Sequence, residues 1–180
     1  MVNWFSADYH LGHKNIIKYC HRPFKNIYEM NHTILNNLDK TTNPGDTLFY
    51  LGDLTFEQEL AEIFFQKFDY LNIHYIIGNH DTSEVIKLAK KNCVSVSQLK
   101  DIIINEQAIT LCHYAMRVWN KSHYNAWQFY AHSHGRLEPQ GKQYDVGVDN
   151  NQYLPRSFEE IQQIMKEYPD NFNYSPPEET

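Results

Sequence analysis

Five short apolar runs in this chain each stop at a cluster of aspartate, asparagine or histidine. Residues 2–7 run into Asp8 and His10, 47–51 into Gly52-Asp53, and 74–77 into Gly78-Asn79-His80-Asp81. Residues 109–112 run into His113, and 128–131 into His132-Ser133-His134. Each run has the length and the aromatic or β-branched content of a buried strand. Whatever fold the chain takes must bury these segments and still leave their polar ends together or near solvent.

Helical patterns separate the early runs. Over 28–39, Met30, Ile34, Leu35 and Leu38 recur at helical spacing, and the turn Asn43-Pro44-Gly45-Asp46 ends the pattern. Over 57–68, Leu60, Ile63, Phe64 and Phe68 share one face. A third helix is predicted over 83–91 with Ser83 as N-cap. A last one spans 157–166, where Ser157-Phe158-Glu159-Glu160 reads as a capping box. The order is strand-helix three times, then mostly strands, then a helix. That alternation implies an α/β chain with a parallel sheet and crossover helices, and the later strands imply a second sheet packed on the first.

The length of 180 residues suits a single domain, read here as 1–168, followed by a mobile C-terminal tail over 169–180. Three widely spaced cysteines form no CxxC pair and no disulfide framework, which points to a reducing compartment. The start, MVNWFSAD, lacks the pattern of a secretory signal, and no run approaches the roughly 20 apolar residues of a membrane span. A cytoplasmic location is expected. The net charge of -6 disfavours a sequence-independent nucleic-acid binder. It leaves a small anionic substrate open, because bound divalent metals reverse the local sign.

In open α/β sheets, ligands bind beyond the carboxyl ends of strands. Here those ends carry Asp8, His10, Asp53, Asn79, His80, His113, His132 and His134. Each fragment alone has an ordinary reading: a turn, a helix cap, or a pair of exposed histidines. Together, in order and each closing an apolar run, they are too many ligands for one metal ion and about right for two. Carboxylate and imidazole donors suit Mn first, with Fe, Zn or Ni also compatible, better than Ca. Two cations that close need a bridging carboxylate, and Asp53 is the best-placed candidate. Such a pair clamps a phosphoryl group and activates water.

The sequence resembles the calcineurin-like metallophosphoesterase superfamily. The matching motifs are Asp8-Tyr9-His10, Gly52-Asp53, Gly78-Asn79-His80-Asp81, His113 and Ala131-His132-Ser133-His134. The segments at 13–17, 22–24 and 145–149 are similar to a small single-domain branch found in bacteria and phages. The resemblance implies a two-sheet β-sandwich flanked by helices. It implies that Asp8, His10 and His134 hold a first metal, that Asn79, His113 and His132 hold a second, and that Asp53 bridges them. It gives His80 the role of general acid, with His80, Asn79 and Asp53 carrying catalysis. A hydroxide between the metals would attack a small phosphodiester, cyclic or nucleotide-derived. A phosphomonoesterase, or a silent scaffold of the same fold, is the alternative.

The chain departs from the family pattern twice. Ala131 stands where a glycine is usual, and Phe56 stands where many members place an aspartate that orients the catalytic histidine. His80 then needs another partner, with Asp81 the candidate. Secondary candidates for substrate binding are Asn15 and Arg22, the latter either a bidentate phosphate ligand or a structural arginine. His13 and His21 are expected at the surface, Cys112 in the core, and Arg117, Trp119 and Trp127 in packing rather than base stacking.

Overall fold

The computed structural model describes residues 1–176. In chain order the elements are β1 (Asn3–Ser6), α1 (Ile16–Tyr19), α2 (Ile27–Thr41), β2 (Thr47–Tyr50), α3 (Gln58–Lys67), β3 (Asn72–Ile76) and α4 (Ser83–Asn92). Then follow β4 (Ser95–Ser97), β5 (Leu99–Ile104), β6 (Gln107–Cys112), β7 (Trp127–Tyr130), β8 (Gln143–Asp145), β9 (Arg156–Ser157) and α5 (Phe158–Glu167). They build two sheets flanked by helices: a five-stranded sheet in the order β4-β3-β2-β1-β9 and a four-stranded sheet in the order β5-β6-β7-β8.

Side-chain alternation along the strands explains the layers. In β2, Leu48 and Tyr50 face the helices, packing with Met30, Ile34 and Leu38 of α2 and Phe64 of α3. Phe49 and Leu51 face the other way, into a core shared with Ile109 and Leu111 of β6 and Phe129 of β7. Phe5 of β1 joins the sheets, stacking on Phe49 at 5.1 Å and meeting Phe129 edge-on at 4.8 Å. Strands buried on both faces read as continuous apolar runs, which is why β1 and β2 stand out in the sequence.

Caps fix the helix starts. Asn26 accepts the Glu29 N–H at the head of α2, and Ser157 with Glu160 forms the expected capping box of α5. The N-cap of α4 is Thr82, whose hydroxyl accepts the Val85 N–H, rather than Ser83, which is the first helical residue. The stretch expected to be a mobile tail packs in its first part. Asn171 is buried, donates to the carbonyls of Ser122 and Ala126, and accepts from Lys142 N–H. Residues 177–180 lie outside the described part. No helix among the described residues is long and apolar enough to cross a membrane.

Within the first sheet β1, β2, β3 and β4 run parallel, and in the second β6, β7 and β8 do. Their carboxyl ends therefore open on one rim, where the polar clusters collect.

Candidate metal centre

Short loops leaving the strands turn sharply at the ligand-type residues. Asp8, His10, Asp53, His132 and His134 all have left-handed backbones, with φ of 61°, 51°, 58°, 67° and 50°. Such conformations cost of order 1 kcal/mol or more each for non-glycine residues and persist where the surroundings hold them. The surroundings here do so. Asp8 N–H donates to Gly52 carbonyl and His10 N–H to Asp53 carbonyl, tying the β1 loop to the β2 loop. Gly78 must be glycine, because an added Cβ would collide with the Asp53 carboxylate and backbone. Ala131 has no positive φ, the left-handed turn falling at His132, so the glycine usual at 131 is not required for φ.

The rim gathers the candidates into two groups. Ligand atoms of Asp8, His10 and His134 lie within 4.8 Å of one another, and so do those of Asp53, His113 and His132. Asp53 joins them: one carboxylate oxygen is 3.6 Å from His10 Nε2 and 3.4 Å from His113 Nε2. Its other oxygen accepts the His80 N–H at 2.8 Å. Asn79 Oδ1 lies 3.1 Å from His113 Nε2. The structure thus brings together Asp8, His10, Asp53, Asn79, His113, His132 and His134.

Three atoms at the centre are buried and lack any hydrogen-bond partner among the described residues: Asp8 Oδ1, His10 Nε2 and Asp53 Oδ2. Buried polar atoms are normally paired, so an aligned set of three needs a reason. His113 sharpens the point. Its Nδ1 lies 2.6 Å from the Leu51 carbonyl, so that nitrogen carries the proton and Nε2 of the neutral ring is an acceptor. That acceptor faces Asn79 Oδ1 and Asp53 Oδ2, two more acceptors. Only a proton or a metal cation reconciles the three, and the donor chemistry fits divalent cations.

Charge supports the same fit. Burial pushes the Asp8 carboxyl up to about 7, against the pull of His134 and His113. Burial also presses His10 down to about 3, only partly opposed by Asp53. Asp53 is held below its ordinary value: burial raises it, but His113, the His80 N–H and His10 outweigh that. His134 moves up to about 10, where the Asp149 hydrogen bond, the Cys20 thiol and Asp8 overcome burial. A cation between these groups would keep Asp8 ionised, take the neutral His10 as a ligand and replace the extra proton on His134.

No protein-family model matches the chain. An uncharacterized protein of Methanocaldococcus jannaschii, MJ1445, is 28% identical over 172 residues, covering 89% of each chain. The crystal structure of a protein of unknown function from Aquifex aeolicus, AQ665, superposes with a TM-score of 0.70 at 24% identity, over 91% of this chain and 98% of that one. The fold is therefore shared with that protein. A looser match, TM-score 0.45 at 15% identity, is to an archaeal phosphodiesterase, over 88% of this chain and 99% of that one. Likeness of that degree carries no inference about activity.

Several residues expected to act do something else. Arg22 is buried, and its guanidinium is fully engaged: Nε and Nη2 pair with Asp149 at 2.8 Å each, while the two terminal nitrogens also donate to Tyr9 carbonyl, Asp8 carbonyl and Met30 Sδ. No donor is left for a phosphate, so Arg22 is the structural arginine of the two readings. Asn15 is exposed at the start of α1, and no hydrogen bond joins its side chain to the centre among the described residues. Asp81 cannot serve His80. Its carboxylate is buried and accepts from Gly78 N–H, Asp53 N–H, Leu54 N–H and the Tyr75 hydroxyl, which makes it the brace of the β2 and β3 loops. His80 instead rests against the Phe56 ring, edge to face at 5.0 Å, and 5.2 Å from the His10 ring.

His13 is not a plain surface histidine: its ring lies 5.7 Å from His10 and 5.1 Å from Phe56. Cys112 is half-buried on the outward face of β6, because Ile109 and Leu111 take the inward positions and 112 has the opposite parity. Trp119 and Trp127 pack as expected, Trp119 donating to Ala126 carbonyl and Trp127 stacking on Phe158.

Two supporting residues carried no individual role in the sequence reading. Asp145 accepts from Ser133 hydroxyl, Gly135 N–H and Gly147 N–H, and so pins the His132–His134 loop. Asp149 holds His134. Both lie in the 145–149 stretch singled out above, where two aspartates four apart were the available signal.

Proposed function

We propose that this chain is a phosphoesterase that works with two divalent metal ions, most readily Mn, on a small phosphodiester of nucleotide size. The observation that carries this reading is the Asp53 carboxylate, buried, unpaired at Oδ2, and shared between the two ligand groups. Asp8, His10 and His134 would hold one ion; His113, His132 and Asn79 would hold the other. Bound there, the ions supply Lewis-acid activation of water and of phosphoryl oxygens.

The chain's own residues set the rest. Asn79 Oδ1 faces His113 Nε2, and its amide nitrogen, which has no partner among the described residues, can donate toward a phosphoryl oxygen. His80 has its backbone anchored on Asp53 and its ring at the rim, partly exposed, where it can give a proton to a leaving oxygen. Phe56 supports that ring by contact alone, so His80 acts without a carboxylate partner.

The test compares hydrolysis of bis(4-nitrophenyl) phosphate and 4-nitrophenyl phosphate, with added Mn²⁺ and with chelator, beside Asp53→Ala. Metal-dependent diester cleavage absent from the variant is the expected result. Preference for the monoester would move the assignment to a phosphomonoesterase. Inactivity on both with Mn, Fe, Zn or Ni would favour a scaffold role.

A further inference from the structure

Next to the second ligand group lies a hollow of about 430 Å³, within the range of small-molecule sites. Ile77, Asn79, Gln98, Leu99, Cys112 and Tyr114 line it. The topology makes it: β5 starts and β6 ends here, with Leu99 and Cys112 directly paired across the antiparallel ladder and facing away from the core. Ile77, just after β3, closes one side, its N–H bonded to Ser97 carbonyl.

Two residues that line the hollow, Asn79 and Tyr114, also lie against the second ligand group. Asn79 Oδ1 lies 3.1 Å from His113 Nε2. The Tyr114 ring sits 5.2 Å from the His113 ring and 4.9 Å from the His132 ring.

The chemistry of the lining narrows the occupant. No charged side chain is in it, so a second phosphate or an ammonium group would be left without a partner. Leu99 and Tyr114 are 43% and 47% exposed, leaving much of their apolar surface open to solvent. Tyr114 offers an aromatic edge or face. The Gln98 carboxamide is exposed, with no hydrogen-bond partner in the described residues, and supplies both donors and an acceptor. Apolar walls, an aromatic ring and an amide with no charge select a flat, neutral group with a hydrogen-bonding edge.

We infer that this hollow is a nucleobase subsite, with Tyr114 and Leu99 packing the base and Gln98 meeting its edge. The inference rests on the phosphoesterase reading for its purpose, but the hollow can be tested without catalysis. Adenosine, which has no phosphate, is titrated into the full chain after chelator treatment and followed by saturation-transfer NMR and by tyrosine fluorescence. Wild type and Asp53→Ala are expected to bind it alike. Tyr114→Ala is expected to weaken binding by about five- to a hundredfold, the range for losing one base–aromatic contact. Leu99→Asp, on the β5 side of the hollow, should weaken it as well and guards against a Tyr114 effect transmitted through His113. Ribose 5-phosphate binding to the Mn²⁺-loaded chain should be unchanged by Leu99→Asp. Failure of adenosine to bind, or equal binding by wild type and both hollow variants, would overturn the subsite. Adenosine binding without any metal-dependent hydrolysis would leave the subsite standing and refute the phosphoesterase reading instead.

Discussion

His134 Nδ1 lies 2.7 Å from a carboxylate oxygen of Asp149, and that carboxylate is itself gripped by Arg22 through two bonds of 2.8 Å. A histidine whose Nδ1 is held by a carboxylate presents Nε2 in a fixed direction, with its basicity raised. Asp149 therefore aims His134 at Asp8 and His10. Asp149→Asn also breaks the buried Arg22 pair and so lowers stability, and in the folded chain it should lower Mn²⁺ affinity by about 10–100-fold, the usual effect of losing such a partner. Calorimetric titration checks this; unchanged affinity would mean that packing alone orients His134.

The same chain of contacts makes Arg22 a stability residue. It is buried, and removing it leaves Asp149 charged in the interior, a loss of about 3–5 kcal/mol for a broken buried pair. Arg22→Met should lower Tm by roughly 10 °C for a chain of this size. Arg22→Lys should not restore it, since a lysine cannot make the paired bonds to Asp149 and also reach the carbonyls of Asp8 and Tyr9. Thermal melts of both variants decide the matter, and a lysine variant as stable as wild type would contradict the fork geometry.

Phe56 meets His80 with a hydrocarbon edge where a carboxylate would fix and charge-stabilise the ring. Phe56→Asp should raise turnover of diesters with poor, alkyl leaving groups relative to nitrophenyl diesters, because only the former need the proton. Equal change on both would show that His80 is not the acid.

Much of this centre was legible because parallel strands end on one rim and their polar ends interrupt apolar runs. Asp8, Asp53 and His113 follow that rule without exception. Arg22 was ambiguous for a physical reason: the same five donors serve a phosphate or an Asp149 carboxylate, and the partner lies 127 residues away. Asp81 was equally opaque. Its place beside His80 in sequence suggested a catalytic pairing, whereas the turn directs it inward to three N–H donors of the loops after β2 and β3 and to the Tyr75 hydroxyl of β3. Cys112 failed on parity, since a strand's inward face is known only once its neighbours are. The short strands β4, β8 and β9 carry two or three residues each, too few for a period to show.

Asp46 links acid stability to a single carboxyl. Burial would raise it, but the Val2 N–H at 2.7 Å, the Trp4 indole at 3.0 Å and the Asn43 N–H at 3.1 Å hold it below its ordinary value. Its contribution is present above the unfolded value of about 3.9 and is lost as pH falls through the lower folded value. Wild type should therefore exceed Asp46→Asn in stability at pH 6, with the gap narrowing as pH drops toward 3. Urea melts across that range test it. A gap independent of pH would assign the difference to something other than the carboxylate.

The sharing of Asp53 by two ions is the claim on which the rest depends. The most direct measurement is a Mn²⁺ titration of the full chain, counting bound ions and recording the electron paramagnetic resonance spectrum. The account predicts two ions per chain with a spin-coupled signal, and loss of that coupling in Asp53→Ala. One ion per chain, or a coupled pair that survives the loss of Asp53, would contradict it.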